Sequence, residues 1–176
     1  MRTKMSIFPT KILLAVDGSE EAYLAAQTAA EIAEETHSEL YIVHVWESLP
    51  LLALGYEPWV YIEAETVEAV VEQAECEARK ILDEQVEHIK DMGGTVRESY
   101  FRQGHPDQEI VRLAEEIGAG LIVIGSRGLG CMRRVLMGSV SDSVVRHAHC
   151  PVLVIRAENK ASQMRASTQH SLRRRR

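Results

Sequence analysis

The chain has 176 residues, 45% of them hydrophobic and 26% charged, with a formal net charge of -6. That length is one domain with room for a sizeable core, and the acidic balance argues against a general nucleic-acid binder. No apolar run approaches the roughly 18 residues that span a bilayer, and the apolar stretch after Arg2 and Lys4, "ILLAV", is too short for a signal peptide. The expectation is a cytoplasmic protein. Its three cysteines, Cys76, Cys131 and Cys150, are spaced for neither a disulfide framework nor a zinc site and read as reduced thiols.

Lys11 to Val16, "KILLAV", is a short continuous apolar run stopped by "DGS", the pattern of a strand buried on both faces. From Glu20 to Glu35, Ala22, Ala25, Ala26, Ala29, Ala30 and Ala33 recur at helical spacing. Such small side chains suit a helix packed close against a sheet. Glu39 to Trp46 is the second strand. Glu47 to Ile62 is apolar and aromatic but broken by Pro50, Gly55 and Pro58, and reads as a long connection, either a satellite hydrophobic cluster or a lid. Thr66 to Met92 places Val67, Val70, Val71, Ala74, Ala78, Ile81, Leu82, Val86 and Ile89 on one helical face. Gly93-Gly94 then supplies a left-handed stop.

Thr95 to Arg102 is a more polar strand, suited to a sheet edge. Pro106 opens a helix to about Ile117, with Ile110, Val111 and Ala114 inward. Leu121 to Gly125 is the fourth strand, a last helix runs from Ser139 to His147, and Pro151 to Arg156 is the fifth strand. Strands alternating with helices imply an α/β fold: a Rossmann-like doubly wound sheet of five mainly parallel strands with helices on both faces. The domain takes residues 1–156, with its core at about 10–156. Residues 157–176 form a basic tail in which Lys160, Arg165 and Arg173 to Arg176 face only Glu158, a net of +5 that leaves -11 in the body. The tail lacks periodicity and reads as a solvated, disordered end; four arginines are too few to assert a lipid or nucleic-acid contact.

In a doubly wound sheet, ligands bind beyond the carboxyl ends of the strands where the winding direction switches. The polar groups at those ends are Asp17-Gly18-Ser19 and Gly125-Ser126-Arg127-Gly128. No G-x-x-x-x-G-K-[ST] loop is present. "GLGCMR" begins like a dinucleotide fingerprint but puts Arg133 where its third glycine belongs. A different spacing is more informative: Gly125, two residues, Gly128, nine residues, then Gly138-Ser139 at a helix start. Glycines at 125 and 128 would let the backbone approach a ligand closely. Gly138, Ser139, Val140 and Ser141 would turn free N–H groups and hydroxyls toward an anion. Ser139 with Asp142 also resembles a capping box, so capping competes for the same groups. Arg127, Arg133 and Arg134 could each neutralise a phosphate or simply be solvated; Arg127 is the best placed, immediately before Gly128. Asp17 on its own could be an Asx-turn residue. No histidine makes a catalytic constellation. His44 reads as a satisfied core residue, and His147 and His149 suit the end of the last helix.

The G-x2-G-x9-G-[ST] spacing resembles that of the universal stress protein family, specifically its ATP-binding branch. "KILLAVDGSEEA", "YIVHVW", "GHPDQEIVRLAEE" and "HCPVLVIR" resemble further family segments in the same order, so the likeness runs from about Thr10 to Arg156. It implies that Asp17 lies near the adenosine, that the Val45 backbone meets the adenine edge, and that Ile124 and Gly125 flank ribose and base. Gly128, Gly138, Ser139, Val140 and Ser141 would line the phosphates, with Mg or Mn as an accompanying ion and Asp17 its distant partner. It further implies a homodimer paired through Pro151 to Arg156, and a nucleotide-responsive stress regulator. Two other functions stay open: a slow ATPase or nucleotidyl-transfer enzyme on the same fold, and an interaction dimer whose glycine loop binds nothing.

Overall fold

The computed structural model describes residues 7–47, 64–128 and 137–157, with side chains of the second helix described from residue 69. The elements are β1 (Lys11–Val16), α1 (Glu20–Thr36), β2 (Glu39–Trp46), α2 (Ala64–Asp91), β3 (Glu98–Gln103), α3 (Pro106–Ile117), β4 (Leu121–Gly125), α4 (Ser139–His147) and β5 (Val152–Ile155). All five strands are parallel, in the order β3-β2-β1-β4-β5. This is the doubly wound sheet that the alternation of elements implies, with β3 on one edge and β5 on the other. The connection read from Glu47 to Ile62 lies, beyond Glu47, outside the described residues, as does the tail beyond Ala157.

The central strands are apolar on both faces because both faces are covered. Ile12, Leu14 and Val16 of β1 pack with Leu40, Ile42, Leu121 and Val123 under α1 and α2. The alternate residues Leu13 and Ala15 join Tyr41, Val43, Ile122 and Ile124 under α3 and α4, around Leu113 and Val144. Ala22, Ala25, Ala26 and Ala29 are buried against the sheet, so the alanine stripe of α1 does bring that helix close.

Helix ends follow their local chemistry. Ser19 caps α1, its Oγ accepting from the Ala22 N–H at 3.2 Å, with Glu20 and Glu21 in the first turn where the dipole favours acids. Pro106 opens α3, where its missing N–H costs nothing. After α2 the chain turns at Gly93, φ 85°, a left-handed backbone that glycine adopts without strain. The third strand begins at Glu98 rather than Thr95. Val96 packs into the α1/α2 core and the Arg97 N–H reaches the Leu40 carbonyl before the register Tyr41↔Glu98 starts. The fifth is shorter than its apolar run: pairing begins at Val152, and Pro151 contributes only its carbonyl, to the Ile122 N–H.

Candidate functional site

The order 3-2-1-4-5 reverses between β1 and β4, so the loops leaving these two strands lie side by side at the carboxyl end of the sheet. Contacts between them are direct. Asp17 Oδ1 accepts from the Ser19 N–H at 3.0 Å, the Asx-turn anticipated for it. Its Oδ2 lies against Gly128, where any Cβ would overlap it. Ser19 Oγ also donates to the Arg127 carbonyl at 3.3 Å.

Ser126 organises the far side. It is buried, 3% exposed, and all its polar groups are engaged. Its N–H donates to the Ile155 carbonyl of β5 at 2.6 Å, and its Oγ donates to Glu21 Oε2 at 2.6 Å. Its carbonyl accepts from the Gly138 N–H at 2.7 Å and from Ser141 Oγ at 2.9 Å. One residue therefore joins β5, α1 and the start of α4. The first intrahelical bond of α4 is Asp142 N–H to the Gly138 carbonyl. The N–H groups of Ser139, Val140 and Ser141 consequently have no acceptor within the helix, and the helix dipole adds partial positive charge at this end.

The buried acid was not singled out by sequence. Glu21 is 6% exposed. Beyond the Ser126 bond, its Oε1 receives Arg127 Nε at 3.0 Å and an Arg127 terminal nitrogen at 2.7 Å. The signal was available: residue 21 stands one helical turn before Ala25 and two before Ala29, on the same stripe. Counting apolar residues alone passes over a polar residue on that stripe.

The other sequence-selected residues that the structure describes lie on β2, on or just after β4 and at the start of α4. Val45 lies one residue beyond the last β1–β2 partner pair, Val16↔His44, and opposite Arg102 of β3. Ile124 is buried between Ala15 and Val154, on the α3/α4 side. Gly125 also has a packing role: a Cβ there would meet Glu21 Cβ and its carbonyl carbon at 3.1 Å, so the missing side chain admits the first turn of α1. Gly138, not Ser139, is the N-cap of α4, with no side-chain cap bond. The capping-box reading is thereby corrected, since Ser139 is already helical and Asp142 pairs with Arg146 at 2.9 Å. Ser141 is 2% exposed and its hydroxyl is turned back to Ser126. Arg127 extends toward Glu21. Arg133 and Arg134 lie outside the described residues.

The histidines sit apart from this chemistry. His44 Nδ1 is 2.8 Å from the Val16 carbonyl, a satisfied core histidine. His147 Nδ1 is 2.8 Å from the Ser143 carbonyl near the end of α4, and His105 Nδ1 is 2.8 Å from Glu47 Oε1 at the surface. Between α3 and α4, Ser143 Oγ donates to Asp107 Oδ2 at 2.6 Å, and that bond holds the Asp107 carboxyl below the usual carboxylate range. Among the described residues, no group of three or more His, Cys, Asp or Glu side chains could hold a metal ion, and no helix is long and apolar enough to cross a membrane.

Comparison with known proteins agrees with this fold. A model of the universal stress protein family matches residues 9–156. Universal stress protein YxiE of Bacillus subtilis is 33% identical over 146 residues, 83% of this chain and 98% of that protein. The solved UspA of Lactobacillus plantarum aligns with a TM-score of 0.69 at 26% identity, covering 85% of this chain and 99% of that one. A universal stress protein solved in complex with cAMP aligns at 0.58 and 26% identity, covering 85% and 98%. One from Archaeoglobus fulgidus in complex with dAMP aligns at 0.56 and 26%, covering 85% and 99%.

Proposed function

The chain belongs to the universal stress protein family, and from that premise we propose that it is a nucleotide-responsive stress regulator that binds ATP or a related adenine nucleotide. One observation carries the reading: at the β1/β4 switch point, Ser126 holds the start of α4 so that three first-turn N–H groups without helical acceptors stand beside the loop bearing Gly128. Such a helix start accepts phosphate without any further cation. Two relatives aligned over most of the chain were solved with adenine nucleotides, which supports a ligand of that class.

In this reading the Val45 backbone meets the adenine edge, Ile124 and Gly125 flank base and ribose, and Asp17 lies beside the sugar. Gly128 and the N–H groups of Ser139, Val140 and Ser141 receive the phosphates, and Arg127 adds its charge where Glu21 permits. A Mg or Mn ion would travel with the phosphates, Asp17 being the carboxylate nearest Gly128. The reading takes the protein to be cytoplasmic and a homodimer. β5 is an edge strand with half-buried Val152 to Ile155, which an identical strand could cover.

The test uses the position where backbone chemistry can be changed alone. Ser139 is the first helical residue of α4, its side chain is exposed, and Gly138 before it has φ -74° and ψ 159°. Those angles suit a residue preceding proline, and proline is tolerated at a first helical position. Ser139→Pro therefore removes one N–H with the helix intact. Isothermal titration should show ATP affinity lowered roughly tenfold, adenosine affinity unchanged and the melting temperature held. Absence of heat for ATP, ADP and AMP with the unaltered chain would overturn nucleotide binding. Product analysis over hours then separates binding from slow hydrolysis.

A further inference from the structure

We propose that Glu21 is an internal counter-anion that competes with nucleotide phosphate for Arg127, and so sets how strongly the site discriminates between triphosphate and monophosphate. The inference rests on the nucleotide reading above and assigns a residue that the glycine spacing does not contain.

The geometry gives three reasons. The carboxylate is buried and lies at the first turn of α1, where the helix dipole favours it as an anion. It takes two Arg127 contacts on one oxygen, at 3.0 and 2.7 Å, and the Ser126 hydroxyl on the other. Arg127 stands immediately before Gly128, so its backbone belongs to the cradle while its guanidinium is directed to α1. A second carboxylate, Asp17, lies against Gly128. The described part of the cradle thus faces a phosphate chain with one guanidinium already matched to an acid. Among the described residues, each phosphate charge added to the ligand is met by backbone N–H groups or by drawing Arg127 away from Glu21. Discrimination by phosphate number follows from that competition, because a monophosphate needs Arg127 less than a triphosphate does.

Glu21→Gln tests the competition with little change of shape. The amide oxygen still accepts from Ser126 Oγ, while the charge that retains Arg127 is gone. Calorimetric titration with ATP, AMP, adenosine and inorganic tripolyphosphate should show ATP and tripolyphosphate binding strengthened roughly tenfold, the scale of one charge-assisted hydrogen bond. AMP should change little and adenosine not at all, so the ATP-to-AMP affinity ratio rises. Adding Arg127→Met to Glu21→Gln should abolish the gain. Glu21→Asp, which keeps the charge but withdraws it by one methylene, should give an intermediate gain and serves if the amide variant folds poorly.

Equal losses for ATP, AMP and adenosine in Glu21→Gln would overturn the proposal and make Glu21 a structural clamp only. So would a gain that survives removal of Arg127. If the unaltered chain binds ATP but the ratio does not move in any variant, the counter-anion role fails while the nucleotide reading stands. If neither the unaltered chain nor any variant binds a probe, both fall together.

Discussion

Among the described residues, two helices on the same side of the sheet each bury one polar side chain, and the two are treated oppositely. Glu21 of α1 is 6% exposed and receives donors from Ser126 and Arg127 on both oxygens. Gln85 of α2 is 0% exposed, and neither its amide oxygen nor its nitrogen has a hydrogen-bond partner. Glu21 is thus a buried polar group whose partners lie on another element, so its burial orders the loop after β4. Gln85 orders nothing by hydrogen bonding and carries the cost of desolvation uncompensated. A buried polar residue is therefore informative about a site only when its hydrogen-bond partners lie on another element.

Breaking the satisfied member should have the largest effect. Glu21→Ala removes the acid that pairs with Arg127, whose side chain is 23% exposed, and with it the acceptor of the Ser126 hydroxyl. A loss of about 3 kcal/mol is expected, toward the low end for a broken buried pair because Arg127 retains some water. It would be read as a fall of roughly 10 °C in the melting temperature. The Glu21→Met, Arg127→Met double variant should recover most of that loss, since removing both charges leaves neither one buried alone. A double variant as unstable as Glu21→Ala would show that Ser126 is the partner that matters.

The orphaned member should respond in the other direction. Gln85→Leu removes two unsatisfied polar atoms from a position between the buried Leu82 and Ile89. A gain of about 1–2 kcal/mol in urea unfolding is expected, with an unchanged m-value. Destabilisation by that change would mean that the amide has a partner in solution, and the contrast between the two helices would weaken.

The same contrast explains what the sequence made legible. Apolar runs located β1, β2 and β4 to the residue, and the alanine stripe located α1 within one position at its end. These signals work because burial on both sheet faces demands unbroken hydrophobicity. The glycine spacing singled out loops that lie side by side at the β1/β4 switch point, and two of its positions also have local structural roles. A Cβ at Gly125 would crowd the first turn of α1, and the cap of α4 is Gly138 rather than Ser139. Glycine pattern reports that a Cβ is unwelcome without saying what would meet it. Glu21 and Gln85 both escaped notice because an apolar count treats a polar residue on the buried stripe as a gap. Their positions were periodic; only their partners, far along the chain, distinguish them.

A third polar contact, on the opposite side of the sheet, gives the smallest effect and a pH signature. Asp107 accepts from Ser143 at 2.6 Å, joining the start of α3 to the middle of α4 at a half-buried position. Its folded pKa is lowered from 3.8, first by that hydrogen bond. A lowered folded pKa means that the unfolded chain takes up the proton first as acid is added. The stabilisation is therefore complete above the ordinary carboxylate pKa and is lost as pH falls through the lowered value. Asp107→Asn should cost about 1 kcal/mol at pH 7, since an amide accepts the Ser143 proton less strongly than a carboxylate. The gap between variant and parent should close as the pH is taken down through the carboxylate range, because protonation deprives the parent of the same bond. A gap that stays constant with pH would show that the charge of Asp107 contributes nothing. Polar burial would then matter in this domain only where, as at Glu21, the acid is closed off from water.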